Sequence, residues 1–100
     1  MEAIMENNIN EFNEYAEILK AMGHPARLCI LKGILKTGGC NVTHIQDCLN
    51  LPQSTISQHI QKLKGAGIIE GVRCGLEITY TLKNERVLNI IRSLYPQEDL

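Results

Sequence analysis

Residues 51–70 read LPQSTISQHIQKLKGAGIIE, and this stretch joins a tight turn, a helix and the start of a strand. Pro52 is placed to begin the helix, and the side chain of Ser54 or Gln53 can satisfy its open backbone donors. Hydrophobic residues at helical spacing predict one buried stripe. This stripe consists of Ile56, Ile60 and Leu63. The opposite, exposed face is expected to carry Gln53, Thr55, Ser57, Gln58, His59 and Lys62.

Residues 53–64, which form most of this helix, contain no acidic residue. Ser, Thr and Gln are hydrogen-bonding groups that suit phosphate oxygens and base edges, whereas a carboxylate would repel the DNA duplex. The pattern therefore indicates a helix that reads DNA. An ordinary solvated helix is the alternative.

The composition predicts one small domain over residues 1–100. A chain of this length with 44% hydrophobic residues can close a single core, and with 4% aromatic residues and no Trp the core must be aliphatic. A monomer of this size is marginally stable, so we expect further burial between subunits.

The chain shows no sign of a membrane partner or of export. No apolar run approaches the roughly 20 residues of a membrane span, and residues 1–15 lack the basic and apolar regions of a signal peptide. We therefore expect a cytoplasmic protein. Its four cysteines are expected to be thiols, because the cytosol is reducing and the sequence has no CxxC pair.

Charge is unevenly distributed, although the formal net charge is -1. Residues 1–19 contain five acids and no base, whereas residues 20–69 contain six bases and a single acid, Asp47. Local charge is what attracts DNA, so a basic middle inside an acidic protein is compatible with DNA binding. Chance segregation of charge is the alternative.

Periodicity predicts a mainly α fold with a β-hairpin wing (α+β), containing about five helices. Hydrophobic residues three and four apart mark a first helix ended by Gly23, a second broken by Thr37, Gly38 and Gly39, and a short third with Val42, Ile45 and Leu49. The third helix, a turn and the fourth helix then form a helix-turn-helix over residues 42–66.

Residues 68–82 predict the wing. After Gly67 the hydrophobic period changes to two, as in a half-buried hairpin, and Cys74 and Gly75 supply the turn. The inward positions of the second strand are Leu76, Ile78, Tyr80 and Leu82.

A last helix, from about Asn84 to Tyr95, carries hydrophobic residues on more than one face. A helix with so wide a hydrophobic surface usually packs against two partners, here the core and a second subunit. We expect Val87, Ile91 and Leu94 to lie at the centre of a subunit interface.

A helix-turn-helix followed by a two-stranded wing is a winged helix-turn-helix, and residues 17–82 resemble the ArsR/SmtB repressors of bacteria and archaea. The resemblance rests on ILKAMGHPARLCIL, LPQSTISQHIQKLKGAGII and RCGLEITYTL. Members of this family are dimers that leave their operator when they sense a metal or another chemical stress. The resemblance implies a homodimer formed through the first and last helices, with the fourth helix of each subunit in successive major grooves.

The sensing sites that the resemblance would imply are missing. Soft-metal members carry a CxC pair at the start of the third helix, where this chain has Asn41 and Thr43. Members that bind zinc, nickel or cobalt use Asp and His near the start of the last helix, where Asn84 and Arg86 stand. Dithiol members need a cysteine on the last helix, and none follows Cys74. The inducer is therefore unassigned, either a thiol-reactive species or a soft metal, and no cofactor is expected.

The cysteines differ in their predicted surroundings. Cys40 is the first candidate for a reactive thiol, because a helix N-terminus favours the thiolate and two preceding glycines would let it move. Cys29, near Lys32, is a second candidate, and Cys74 at the wing tip is a third. Cys48 is expected to be a buried, inert thiol. Tolerated surface thiols are the alternative for the three candidates.

Cys40, His44 and Cys48 follow one another at intervals of four residues. This spacing places His44 and Cys48 on one helical face, with Cys40 near it if the helix begins early, so the three residues are a candidate soft-metal site. The sequence offers no fourth ligand for this set, and we do not expect a metal to be bound.

The sequence predicts no enzyme. Ser54, Ser57 and His59 share one helix, but no acid lies near them to orient a histidine base, and no phosphate loop or HExxH motif occurs. Two alternatives to a ligand-sensing repressor stay open. One is a winged-helix protein-interaction module, and the other is a DNA-binding regulator that senses no small ligand.

We therefore predict a dimeric, DNA-binding repressor. Its double-stranded operator should be an inverted repeat with half-site centres about one helical turn, near 10 base pairs, apart. Gln58 is the expected base reader, since its amide can pair with both edge groups of adenine. Its expected companions in the major groove are Gln53, Ser54, Thr55, Ser57 and His59. The expected phosphate contacts are Lys62, Lys64 and Arg73.

Overall fold

A computed structural model describes residues 9–100, and this range contains five helices and one two-stranded antiparallel hairpin. The helices are α1 (Ile9–Met22), α2 (Pro25–Thr37), α3 (Val42–Leu49), α4 (Gln53–Gly65) and α5 (Glu85–Leu94). The strands are β1 (Ile69–Cys74) and β2 (Glu77–Leu82). The predicted helix-turn-helix architecture with a wing is therefore confirmed.

Residues 1–8 lie outside the described residues. They include two residues of the acidic segment, Glu2 and Glu6. They also include about half of residues 1–15, where the sequence predicts no signal peptide. Within residues 9–100, no helix has the length and apolar character that crossing a membrane requires.

Local capping determines where the helices begin and end. The imidazole Nδ1 of His24 accepts the Ala26 N–H at 3.1 Å, which fixes the start of α2. Asn41 caps α3 in the same way, because its Oδ1 accepts the His44 N–H at 2.8 Å. Asn50 ends α3 in the left-handed conformation that asparagine tolerates.

The start of α4 differs from the prediction. Pro52 occupies the N-cap position, with extended backbone, and no side chain there accepts a hydrogen bond from the helix. The expectation that Ser54 or Gln53 caps this helix is therefore wrong. Proline supplies the preset backbone angle instead, and the first turn of α4 remains open to solvent.

The core is aliphatic and lies where α2, α4 and α5 meet. The predicted stripe of α4 is confirmed, since Ile56, Ile60 and Leu63 are all buried. Val87 and Ile91 are also fully buried within the subunit. The prediction that these two residues centre a subunit interface is therefore wrong, because the core of their own chain already covers them.

The hairpin pairs Ile69 with Leu82 at its base and Cys74 with Glu77 at its tip. Gly75 adopts a positive φ of 67° in the turn, which favours glycine. Leu76 is fully exposed at this tip, so the prediction that it begins the inward face of β2 is wrong. The strand begins one residue later, at Glu77, because Leu76 belongs to the turn, and of the predicted inward positions only Tyr80 is buried.

An isolated antiparallel bridge joins the α2–α3 connection to the wing. Cys40 donates its N–H to the Tyr80 carbonyl at 3.0 Å, and Tyr80 donates its N–H to the Cys40 carbonyl at 2.7 Å. Gly39 permits this approach, since a Cβ there would lie 2.8 Å from Cγ2 of Thr79. The wing is therefore bonded to the segment that leads into the helix-turn-helix.

Candidate nucleic-acid interface

The outer face of α4 is polar and free of acids. Ile56, Ile60 and Leu63 turn one stripe inward, which leaves most of the polar side chains of the helix in solvent. Most of the predicted contacts are exposed on this helix, namely Gln53, Ser54, Ser57, Gln58, Lys62 and Lys64. Thr55 is half-buried at the edge of the same face.

Gln61 belongs to this face and is absent from the predicted contacts. It is exposed and lines a shallow surface depression together with Ser57, Gln58 and Lys62. The helical spacing from Gln58 could have indicated it. A second amide on this face adds a donor and an acceptor that suit base edges.

His59 does not lie on the outer face. Its side chain is 9% exposed, its Nδ1 accepts the Arg27 Nε–H at 3.2 Å, and its ring lies 4.5 Å from the ring of His24. The prediction that His59 enters the major groove is therefore wrong. The position directly before Ile60, and three residues after Ile56, turns this side chain toward α2.

His59 and Arg27 fasten the recognition helix to the rest of the domain. Arg27 also donates from Nη1 to the Ala21 carbonyl at 3.1 Å, so one guanidinium joins the end of α1 to α4. Burial lowers the pKa of His59, and the neighbouring charges of His24 and Arg27 lower this pKa further. A neutral imidazole is the form that can accept the Arg27 hydrogen bond.

Basic residues flank the polar face. Lys62 and Lys64 are exposed in the last turn of α4, and Arg73 is exposed on β1 near the wing tip. By contrast, Lys32 and Lys36 on α2 pair with Glu98 at 2.9 Å and 3.4 Å. A hydrogen bond from Lys32 lowers the pKa of Glu98, and the same bond raises the pKa of Lys32.

The cysteines lie differently from the predictions. Cys40 is 5% exposed, its backbone is bonded to β2, and its Sγ lies 3.2 Å from the Thr37 hydroxyl. The prediction of a mobile, exposed Cys40 is therefore wrong. Cys48 is exposed, which contradicts the expected buried thiol. Cys29 and Cys74 are exposed as predicted.

Helix geometry explains the error at Cys48. Val42, Ile45 and Leu49 form the inward stripe of α3, and each residue turns the helix by about 100°. Cys48 therefore lies roughly a quarter turn from the centre of this stripe. Only its neighbours on α3 are directed into the core.

The structure offers no metal-ligand set at the expected places. Asn41 and Asn84, which stand where family members have metal ligands, are helix caps here. Between residues 9 and 100, no three His, Cys, Asp or Glu side chains lie close enough to hold one metal ion. Cys40, His44 and Cys48 line one cavity but do not form such a set.

An acid-free recognition helix, a preceding turn and helix, and a wing with an exposed arginine together define a winged helix-turn-helix DNA-binding protein. Residues 22–72 match a family model described as a helix-turn-helix domain. The chain is 47% identical over 81 residues to the transcriptional repressor PagR of Bacillus anthracis, covering 81% of each chain. The chain belongs to the ArsR/SmtB family of winged-helix transcriptional repressors.

Solved structures and a second relative agree with this assignment. The crystal structure of PagR superposes with a TM-score of 0.79 at 43% identity, covering 86% of this chain and 98% of PagR. The repressor SmtB of Mycobacterium tuberculosis is 35% identical over 75 residues, which are 75% of this chain and 55% of SmtB. A homodimeric winged helix-turn-helix DNA-binding domain from Mycobacterium bovis, solved by NMR, gives a TM-score of 0.77 at 26% identity. The match covers 93% of this chain and 87% of the M. bovis domain.

These relatives establish the class of activity. The chain is a DNA-binding transcriptional repressor and not an enzyme, in agreement with the prediction from its sequence.

Proposed function

We propose that this repressor binds, as a homodimer, an operator that is an inverted repeat in double-stranded DNA, and that α4 of each subunit lies in the major groove. The outer face of α4 carries the proposal. It presents amides and hydroxyls at its start and centre and two lysines at its end, with no carboxylate. Neutral donors and acceptors suit base edges, and the lysines suit phosphates.

The contacts divide by chemistry. Gln58 lies at the centre of the exposed face and Gln61 lies beside it, so both amides can reach base edges. Lys62 and Lys64 follow on the same helix, where phosphates flank the groove. Arg73 is carried by the wing, and its exposed guanidinium suits a phosphate of the DNA backbone.

The surface proposed for the second subunit is formed by α1 and α5. Large apolar side chains remain about half exposed on these helices, namely Ile9, Phe12, Leu19 and Leu94. Arg86 of α5 donates to the hydroxyl of Tyr15 on α1, and its guanidinium stacks over that ring, so the helices adjoin. Covering such a surface with a second copy would bury apolar area and set two recognition helices apart by a fixed distance.

We further propose that a chemical signal acting at thiols, rather than a metal cofactor, releases the operator. Three cysteines are exposed, and the metal positions of the family are occupied by helix caps. We place this activity in the cytoplasm, where the DNA of bacteria and archaea lies.

Selection of duplexes from a random library by the purified protein tests the proposal. The enriched sequences should contain an inverted repeat with half-site centres about 10 base pairs apart. Sedimentation of the complex should give two chains per duplex. Enrichment of single half-sites by a monomer, or no enrichment at all, would contradict it.

A further inference from the structure

A cavity of about 170 Å³, open to solvent on one side, lies between α2 and α3. Three of the four cysteines in the chain line it, namely Cys29 on α2, Cys48 on α3 and Cys40 at the connection between them. His44 lines it as well. The proposed DNA contacts lie on α4 and the wing, so DNA binding gives no reason for thiols to gather here.

The lining of this α2–α3 cavity favours an apolar occupant. Ile30, Ile45 and Leu49 contribute hydrophobic walls. Gly33 leaves room on the α2 side, since a Cβ there would meet nothing within 4 Å. A protein cavity of about 150 Å³ can hold a benzene-sized molecule, so the volume suits a single ring. Across the described residues, no side-chain cluster here can hold a metal ion.

We propose that the α2–α3 cavity is a sensing site that captures a small, ring-sized quinone by covalent addition to Cys29 or Cys48. Both of these thiols are exposed, whereas Cys40 is buried against Thr37 and forms part of the wall. Only the exposed pair is accessible to attack a bound ring.

The reaction is a conjugate addition. The cysteine thiolate forms a C–S bond to a ring carbon, and the electron pair of the C=C bond moves onto a carbonyl oxygen. The thiol proton ends on that oxygen, and the hydrogen at the attacked carbon moves to the second oxygen, which gives a hydroquinone thioether. The quinone is the only co-reactant. His44 supplies an imidazole in the cavity that can accept the thiol proton.

Two residues that line the cavity are connected to the elements proposed to contact DNA. Through these connections an adduct in the cavity can affect operator binding. Leu49 at the end of α3 precedes the turn into α4, and Cys40 is hydrogen-bonded through its backbone to Tyr80 of the wing. A ring bonded between α2 and α3 would fix the spacing of these helices, and well-packed interiors transmit such strain to neighbouring elements. This step rests on the proposed DNA-binding function, whereas capture of the ring does not.

Rates of modification measured without DNA test the capture step. The full-length protein is treated with 1,4-benzoquinone or with iodoacetamide, and adducts are quantified at each cysteine by mass spectrometry. Benzoquinone should favour Cys29 or Cys48 over Cys74 by roughly tenfold more than iodoacetamide does, because binding holds the reactants together. Cys74, exposed at the wing outside the cavity, is the internal reference.

The matched variant Gly33→Leu fills the cavity and retains all four thiols. It should remove the benzoquinone preference at Cys29 and Cys48 and leave iodoacetamide rates and Cys74 unchanged. Equal preference for both reagents in the wild-type protein would overturn the proposal. The proposal would also be overturned if a Gly33→Leu protein with the circular dichroism of wild type kept the full benzoquinone preference at Cys29 and Cys48.

A second measurement does not depend on Gly33. Benzoquinone should release the operator from wild type and from Cys74→Ser, but not from the double variant Cys29→Ser/Cys48→Ser. Release from the double variant would overturn the proposal. Failure of the untreated wild type to bind any operator would instead contradict the proposed function, because the labelling result is obtained without DNA.

Discussion

Gln58 and Lys62 lie four residues apart on α4, and both are exposed, yet their chemistry predicts different roles. Gln58→Ala should cost about 1 to 3 kcal/mol on the operator and relax specificity at one base pair, since it removes a bidentate contact. Lys62→Ala should weaken all duplexes alike and reduce the slope of log affinity against log salt by about 1. Fluorescence anisotropy on operator and scrambled duplexes, over a salt series, separates the two effects.

Gln97→Ala is the control for the loss of an amide, because Gln97 is exposed beyond the last helix. It should bind the operator as wild type does. If Gln58→Ala and Lys62→Ala also behaved as wild type, the assignment of α4 to the major groove would be wrong.

At single residues, sequence periodicity predicts exposure well where one helix decides it. Ile56 and Leu63 are buried and Gln58 is exposed, as their spacing indicates. The prediction fails where a distant element decides. Cys40 is buried by a bridge to Tyr80, forty residues along the chain, and no local pattern reveals that pairing. The prediction for His59 fails for the same reason, because its partner Arg27 lies on another helix.

At the scale of elements, α5 has an inward and an outward face that the sequence alone does not separate. Val87 and Ile91 close the core of their own chain, whereas Leu94 is 54% exposed. The sequence therefore predicts that α5 carries hydrophobic residues on more than one face. Which of these residues face the core and which remain for a partner depends on where the other helices pack.

This division determines which substitution tests the dimer. Leu94→Glu should place a charge in the proposed interface, which is strongly unfavourable unless the charge is paired. We expect a folded monomer with reduced operator affinity, measured by sedimentation and anisotropy. Ile91→Glu should instead unfold the subunit, because it puts the charge into the core.

Leu76→Glu is the matched control for this experiment. Leu76 is an exposed leucine too, but it lies at the wing tip and not on α1 or α5. It should sediment as wild type. A monomeric wild type at micromolar concentration, or a dimeric Leu94→Glu protein, would contradict the proposed interface.

At the scale of the whole molecule, the helices are joined by a partly buried polar cluster as well as by the aliphatic core. Arg27 reaches from α2 to the Ala21 carbonyl at the end of α1 and to His59 on α4. The motif that carries the family resemblance, HPARL, contains both His24 and Arg27. Its role in this chain is therefore structural, since it holds the recognition helix in place through His59.

The stability of the molecule should consequently depend on the protonation of His59. Its pKa is lowered in the folded state by burial and by the charges of His24 and Arg27, whereas 6.5 is the ordinary value. Well above pH 6.5 the imidazole is neutral in both states, and the contribution of the cluster is complete. As the pH falls below this value, the unfolded chain binds a proton that the folded chain resists. The free energy of unfolding should therefore decrease.

Urea unfolding between about pH 7 and pH 5 measures this decrease, in a range above the ordinary carboxylate pKa values. Glu98, whose pKa is lowered by hydrogen bonds from Lys32 and Lys36, loses its contribution only at lower pH. His59→Gln retains an acceptor for Arg27 and has no proton to bind, so its stability should change less over this range. His44→Gln, on the exposed side of α3, is the matched control and should follow wild type. Equal slopes for wild type and His59→Gln would show that the Arg27–His59 contact does not couple protonation to folding.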